Sequence, residues 1–276
     1  MCDICEKHTK HKKIRWYLDP DSYKDELIEK DPKRKDVLMK ITGYNLEWYI
    51  YKNSWMTRIV DKLPWPLKSL GRSIANKAAY KLHAGQVIPI EEAIQVAEIA
   101  HNHVIIPCYC RRLTGDHEEL TCLNFGMVKY LWPKYRPDDR VEELDKNTAI
   151  EMLREWDEKG YVHAVFWAKL PYVIAICNCE KKYCTAMKNR VVYGVENAYK
   201  KSHYIATIDP EICDGCDGTP QCALRCQFGA IRYDPSKKIA EVDPYLCFGC
   251  GLCRNACDEG AIKLVEREKY PIPVGW

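Results

Sequence analysis

The sequence predicts an α+β protein in three parts. These are a mostly helical N-terminal region (1–86), a cysteine-rich α/β unit (87–202) and a C-terminal unit with pseudo-twofold symmetry (203–276). Three observations carry that reading. The chain has 276 residues, which suits two domains and an appendage at ~100–200 residues per domain. Its last quarter repeats itself. Fourteen of its sixteen cysteines fall in the second and third parts.

Residues 20–83 read as helix, broken by Gly43, by Pro64 and Pro66, and by Gly71. Ile41, Tyr44, Trp48, Tyr51 and Trp55 recur at spacings of three and four, which places an aromatic stripe on one helical face. Such a stripe serves as core or as a docking surface; peripheral contact with a membrane is its rarer use. The basic run 7–13 reads as a solvated terminus. Cys2 and Cys5, with His8 and His11 beyond them, are half of a zinc ribbon, a partner-supplied site, or an unmetallated pair.

The middle part alternates in period. Ile90, Ile94 and Ala97 sit at helical spacing, and Val104-Ile105-Ile106 reads as a buried strand ending at Pro107. Asn147 is a suitable N-cap for a helix that Gly160 would stop. Residues 161–167 and 172–178 are β-rich runs joined as a hairpin through 168–171, and 184–202 reads as helical.

The repeat is the clearest feature. Ile208-Asp209-Pro210 with Cys213 and Cys216 returns 34 residues later as Val242-Asp243-Pro244 with Cys247 and Cys250. Cys222 and Cys226 return at an offset of 31 as Cys253 and Cys257, and Gly229-Ala230-Ile231 as Gly260-Ala261-Ile262. The change of offset is a three-residue insertion within 217–220. Each copy reads as strand, Cys loop, helical turn and strand. A unit this short cannot bury its own core, so the copies must pack on each other.

Three thiolates on a tight loop with a fourth one turn later is a pattern that grips a cubane iron–sulfur cluster. Over residues 203–268 the chain resembles the bacterial two-cluster ferredoxins. The resemblance implies a ferredoxin-like fold holding two 4Fe-4S clusters, in which the fourth Cys of each run ligates the other cluster. Carried over, one cluster takes Cys213, Cys216, Cys222 and Cys257, and the other takes Cys247, Cys250, Cys253 and Cys226. Paired zinc knuckles are the competing use of clustered cysteines, but they lack this triplet. Two departures stand out. Five residues separate Cys216 from Cys222, and the Pro that usually follows the fourth Cys is Gln227 in one run and Asp258 in the other. Asp258 would set a carboxylate close to a cluster.

Six further cysteines form a middle set: Cys108, Cys110, Cys122, Cys177, Cys179 and Cys184. Both Cys-x-Cys pairs end apolar strands, and neighbouring strand ends lie ~5 Å apart, so the pairs can converge. A third iron–sulfur cluster is the expectation; zinc and scattered buried thiols are the alternatives. Arg111 and Arg112 either hold an anion or balance cluster charge. His163 is a core histidine, a ligand or a proton donor. Residues 87–184 also resemble the N-terminal part of anaerobe proteins described only as ferredoxin-like. The resemblance rests on Cys108-Tyr-Cys110-Arg111, Tyr161-Val162-His163 and Ile176-Cys177-Asn178-Cys179, and it names no substrate.

Charge and composition bound the function. Residues 1–80 carry seventeen basic and eleven acidic groups, whereas residues 204–276 carry eight and eleven. That asymmetry implies docking surfaces of opposite sign. No dense basic block with interleaved aromatics points to nucleic acid, no apolar run is long enough to span a bilayer, and no secretory signal or nucleotide-binding motif is visible. The cysteine usage fits a reducing, cytoplasmic and anaerobic setting. The reading is an electron-transfer protein relaying single low-potential electrons to or from a redox partner protein or larger oxidoreductase complex. The alternative is an iron–sulfur oxidoreductase with its catalytic centre in residues 108–184.

Overall fold

A computed structural model describes residues 2–10, 15–43, 46–114 and 119–276. The N-terminal region contains α1 (Asp3–His8), α2 (Glu26–Glu29), α3 (Pro32–Thr42), α4 (Leu46–Lys62) and α5 (Trp65–Lys81). Gly43 and Pro64 separate helices as expected. Pro66 and Gly71 do not. Pro66 lies in the first turn of α5, where its missing N–H has no intrahelical role. Of the aromatic stripe, Ile41 is buried, but Trp48, Tyr51 and Trp55 are more than half exposed. The stripe is therefore surface rather than core beyond Ile41. Tyr44 and His11 lie outside the described residues.

The middle part is built on β1 (His83–Val87), α6 (Ile90–Ile99), β2 (Val104–Pro107), α7 (Tyr109–Arg112), β3 (Leu120–Asn124), α8 (Val128–Tyr135), β4 (Glu142–Glu143), α9 (Lys146–Lys159), β5 (Val162–Ala168), β6 (Val173–Cys179), α10 (Thr185–Val191) and β7 (Tyr199–Lys200). The strands form one sheet in the order β4-β2-β3-β6-β5-β1-β7. All neighbours are antiparallel except β1 and β7. The sheet opens at His83, inside the segment read as helical, because His83–Val87 pair in register with Ala168–Ala164 of β5.

Both faces of the sheet are covered, which is why β5 and β6 read as nearly continuous apolar runs. On one face, Val162, Ala164 and Phe166 pack with Leu38, Trp132 and Met187. On the other, Val165 and Trp167 pack with Trp16, Val96 and Leu153. Two helix boundaries differ from expectation. Helix α9 is capped by Asp145, whose carboxylate accepts from the N–H groups of Asn147 (2.9 Å) and Thr148 (3.0 Å), so it starts before Asn147. After α10 the chain turns at Gly194 (φ 70°) and ends as β7 rather than as helix.

The C-terminal unit contains β8 (Tyr204–Ile208), α11 (Gln221–Arg225), β9 (Ile231–Asp234), β10 (Ile239–Val242) and β11 (Ile262–Glu266). The outer strands β8 and β11 pair, and so do the inner strands β9 and β10. Each copy's first strand therefore pairs with the other copy's last. In both Cys loops a glycine with positive φ lies against the other copy's backbone. A Cβ on Gly215 would stand 2.2 Å from the Lys238 carbonyl oxygen, and one on Gly249 would stand 2.1 Å from that of Tyr204.

Gly260 shares the same φ as Gly249 within a degree, yet nothing lies within 4 Å of a Cβ there. Gly260→Ala should cost only the ~1–2 kcal/mol of the left-handed conformation. Gly249→Ala must also displace a backbone carbonyl, so its thermal midpoint should fall well below that of Gly260→Ala. Equal midpoints in anaerobic melts of the two variants would show that the loop relaxes freely.

Candidate metal centres

The eight C-terminal cysteines sort into two groups. Cys213, Cys216 and Cys222 line one cavity of about 170 Å³ together with Cys257. Cys247, Cys250 and Cys253 line a second, tighter cavity together with Cys226. Each group thus takes three cysteines from one copy of the repeat and one from the other.

Backbone donors follow the same exchange. Ala206 N–H of the first copy donates to Cys247 Sγ of the second (3.5 Å), and Ala240 N–H of the second donates to Cys213 Sγ of the first (3.5 Å). Ala230 N–H donates to Cys226 Sγ (3.3 Å). Such donors offset negative charge on cluster sulfur. Burial pushes the Cys222 thiol up to about 11 and that of Cys253 up to about 12. Burial raises the Cys250 thiol as well. Buried thiols of this kind stay protonated until a bound metal draws the protons off.

The two departures from the usual run have visible consequences. The inserted residues Asp217, Gly218 and Thr219 are exposed, so the longer loop bulges into solvent. Gln227 ties this unit to the middle part. Its amide oxygen accepts from Lys181 N–H (3.1 Å), and its amide nitrogen donates to the Gly160 carbonyl (3.3 Å). Asp258 and Glu259 rim the Cys257 cavity and are exposed.

All six middle cysteines line one further cavity, of about 210 Å³. The strands carrying the two Cys-x-Cys pairs are not neighbours, contrary to the simplest expectation. Strand β3 lies between β2 and β6 and adds Cys122. Cys122 stands opposite Cys177 in register, with sulfurs 3.6 Å apart. Cys108 caps α7 and Cys110 lies within it, while Cys184 caps α10 and accepts from Met187 N–H (3.4 Å). The rest of the wall is largely apolar, with Ile41, Ile106, Trp132, Phe166 and Ile174, and α4 and α5 contribute Thr57, Ala75 and Ala79.

Crowding sets the thiol chemistry here. Cys122 beside it, and then burial, push the Cys177 thiol up. Cys108 and Cys184, followed by burial, do the same for Cys179. Neighbouring thiolates repel, so the set ionises together only around a cation.

Arg111 and His163 do not line this cavity. Arg111 is buried, pairs with Glu119 (2.9 Å) and Glu180 (2.8 Å), and lies over the rings of Tyr161 and Tyr183. Burial works against its charge, but the Glu180 hydrogen bond and then the charges of Cys179 and Glu119 outweigh that and raise the guanidinium. Arg112 pairs with Asp139 (2.9 Å). His163 is a core histidine. Its Nδ1 lies 2.7 Å from Asn178 Oδ1, and its Nε2 lies 3.4 Å from Asp157 Oδ1. Asp157 in turn accepts from Asn255 Nδ2 beside Cys253 and Cys257 (2.5 Å).

Sequence reading missed the groups that join the cavities. Phe166 lines the middle cavity and Phe248 lines the Cys226 cavity. Tyr199, fully buried, lies between them, with centroids 6.4 Å from Phe166 and 6.2 Å from Phe248. Its hydroxyl is raised by burial and then by the charges of Cys184, Cys179, Cys177 and Cys250. Phe228 stacks on Phe248 at 4.1 Å. The chain has four Phe, and Phe228 and Phe248 each directly precede a glycine in a Cys run. That was the available signal. Cys2 and Cys5 stand apart from these cavities, beside His203.

The 4Fe-4S binding domain family matches residues 240–263, which span β10, the run from Cys247 to Cys257 and the start of β11. This segment is an iron–sulfur segment of the ferredoxin type, indicating at least one 4Fe-4S cluster. No curated protein and no solved structure matches the chain. No helix among the described residues is long and apolar enough to cross a membrane.

Proposed function

We propose that the chain relays single low-potential electrons between a centre in the middle cavity and a redox partner protein, by way of two C-terminal 4Fe-4S clusters. The observation that carries this reading is the connection of the cavities. Phe166, Tyr199 and Phe248 join the middle cavity to the Cys226 cavity, and the Cys257 cavity carries an exposed acidic rim of Asp258 and Glu259. Cys226, Cys247, Cys250 and Cys253 would hold the inner cluster, and Cys213, Cys216, Cys222 and Cys257 the outer one. The middle six would hold a third, iron–sulfur in type. When bound, these clusters supply reversible one-electron chemistry. The protein's part is to keep water away from the inner sites, to aim N–H groups at the sulfurs, and to fix the spacing. A cytoplasmic setting keeps the thiols reduced before loading. The exposed acidic rim offers one docking face, and the basic N-terminal helices with Trp48, Trp55 and Trp65 offer another.

A second reading is an oxidoreductase centred in the middle cavity. It is favoured by one observation: a cubane uses four ligands and this cavity offers six. An iron with a non-protein ligand there, seen as a spectral shift on adding cyanide to reduced protein, would favour it.

Iron and sulfide counting on anaerobically purified protein tests the main reading. Two cubanes account for roughly eight irons, and the middle centre adds to that. Cys179→Ser should lower the count while leaving the ferredoxin signals of the reduced protein intact. A wild-type count that stops at eight, unmoved by Cys179→Ser, would defeat the relay.

Pairing within the C-terminal unit is tested separately. Cys226→Ser should perturb the same paramagnetic signal as Cys250→Ser, and Cys257→Ser the same signal as Cys216→Ser. The opposite pairing would overturn the exchange of the fourth ligand.

Asp258→Asn should raise the potential of the cluster held by Cys257, because it removes an anion beside an added electron. The carboxylate is exposed, so the shift should be on the order of 10 mV and should shrink with salt. A shift that is large and salt-independent would mean that Asp258 acts from a desolvated position.

A further inference from the structure

We infer that Cys2, Cys5 and His203 form a separate site for one zinc-like divalent cation, which clamps the N-terminal segment to the junction between the sheet and the C-terminal unit. Cys2 Sγ and Cys5 Sγ are 3.2 Å apart. His203 Nε2 lies 3.8 Å from the first sulfur and 3.3 Å from the second. Tetrahedral zinc with bonds of ~2.3 Å to sulfur and ~2.0 Å to nitrogen places its donors roughly 3.5–3.8 Å apart. The three atoms therefore already stand close to the corners of a single-ion site. Among the described residues, no other trio of His, Cys, Asp or Glu donors comes as close together. The cluster-type cysteines surround cavities instead, so this site differs from them in kind.

The surroundings suit such an ion. All three residues are buried, Cys2 and Cys5 at 1% exposure and His203 at 7%. Two thiolates cancel the charge of a divalent cation, so the loaded site can sit in apolar surroundings without net charge. The Cys5 N–H points at Cys2 Sγ (3.5 Å), and this local turn presents both sulfurs to one side. The imidazole is fixed by the ring of Trp276 at 4.7 Å and that of Tyr17 at 6.0 Å, while its backbone carbonyl accepts from Arg267 N–H (2.8 Å). A second contact crosses at the same place, from Lys200 Nζ to Asp3 Oδ1 (3.0 Å).

His203 is also the residue next to Ser202, whose N–H donates to the Phe248 carbonyl (2.9 Å) and whose carbonyl accepts from Arg267 Nε (3.0 Å). The clamp therefore holds the strand that frames the Cys247 loop. Its two halves are 198 residues apart between Cys5 and His203, so a metal there closes a very long loop of the unfolded chain.

The test uses the full-length protein purified anaerobically. The wild type should carry about one zinc per chain in addition to its iron. X-ray absorption at the zinc edge should show two sulfur ligands and at least one imidazole. Cys5→Ser and His203→Ala should lose that zinc, with iron and sulfide counts unchanged, which separates this site from the clusters. His203→Cys should keep the zinc and raise its sulfur count to three, and this conservative variant decides the matter if the others fail to fold. A zinc-free wild type, iron bound by this trio, or a Cys2–Cys5 disulfide in the purified protein would each overturn the assignment.

Discussion

The stacked pair Phe228 and Phe248, with Tyr199 behind it, is the contact on which the arrangement of centres depends. These three rings belong to the same apolar core as Phe166, Cys179 and Cys184 of the sheet. The C-terminal unit is thus packed into the face of the sheet that carries the middle cysteines, rather than tethered to it. Burial of each ring contributes about 1.5–3 kcal/mol, and the stacking adds about 1 kcal/mol. Polar contacts then fix the orientation. Arg254 pairs with Glu91 (2.8 Å), and Gln227 and Asn255 reach across to Lys181, Gly160 and Asp157. A rigid seam of this kind suits electron transfer, because spacing between centres is fixed by packing and not by chance encounter.

The same seam changes what a domain boundary means here. A fragment ending before Thr207 would expose the side of Tyr199 that Phe248 covers. Loss of folding in such a fragment would report the lost apolar contact as readily as a missing metal. Point substitutions at single thiols separate the two effects, since serine leaves the apolar seam in place and exchanges a thiolate for a much weaker oxygen ligand.

Much of the C-terminal unit was legible, because a duplicated short unit leaves few ways to bury its apolar strands. The in-register repeat gave the four strands and the place of the insertion within 217–220, while the grouping of the cysteines came from the resemblance to the two-cluster ferredoxins. The middle part was legible only to its elements. Periodicity located the buried strand at 104–107 and the 161–178 hairpin, yet it could not rank strands within a sheet. So Cys122 was noted without its place between the two Cys-x-Cys strands. Helix ends were missed where a side chain competed for the cap, as Asp145 does over Asn147. The aromatic stripe was misleading in one direction: helical spacing marks a face, and only packing shows whether that face is covered. His203 carried no local signal at all. It sits two hundred residues from the cysteines it meets, and nothing in the intervening pattern ties them.

Thiols decide how these parts are ordered in folding. All sixteen cysteines are buried or half-buried in the groups described, and burial or a neighbouring thiol raises thiols such as Cys177, Cys179, Cys250 and Cys253. An unloaded protein must therefore hold many desolvated, protonated sulfurs around cavities that little else fills. Cavities cost stability in proportion to their volume, and the cysteine side chains that line these are too small to fill them. Bound clusters would replace empty space with atoms, release the protons and let the N–H groups of Ala206, Ala230 and Ala240 meet charged sulfur. The sheet, with both faces covered by helices, can form before that step. The C-terminal unit has short strands and little core of its own beyond Ile205, Ile231 and Ile262. It gains its fixed shape from two sources at once: the ligands it wraps, and the aromatic seam it shares with the sheet.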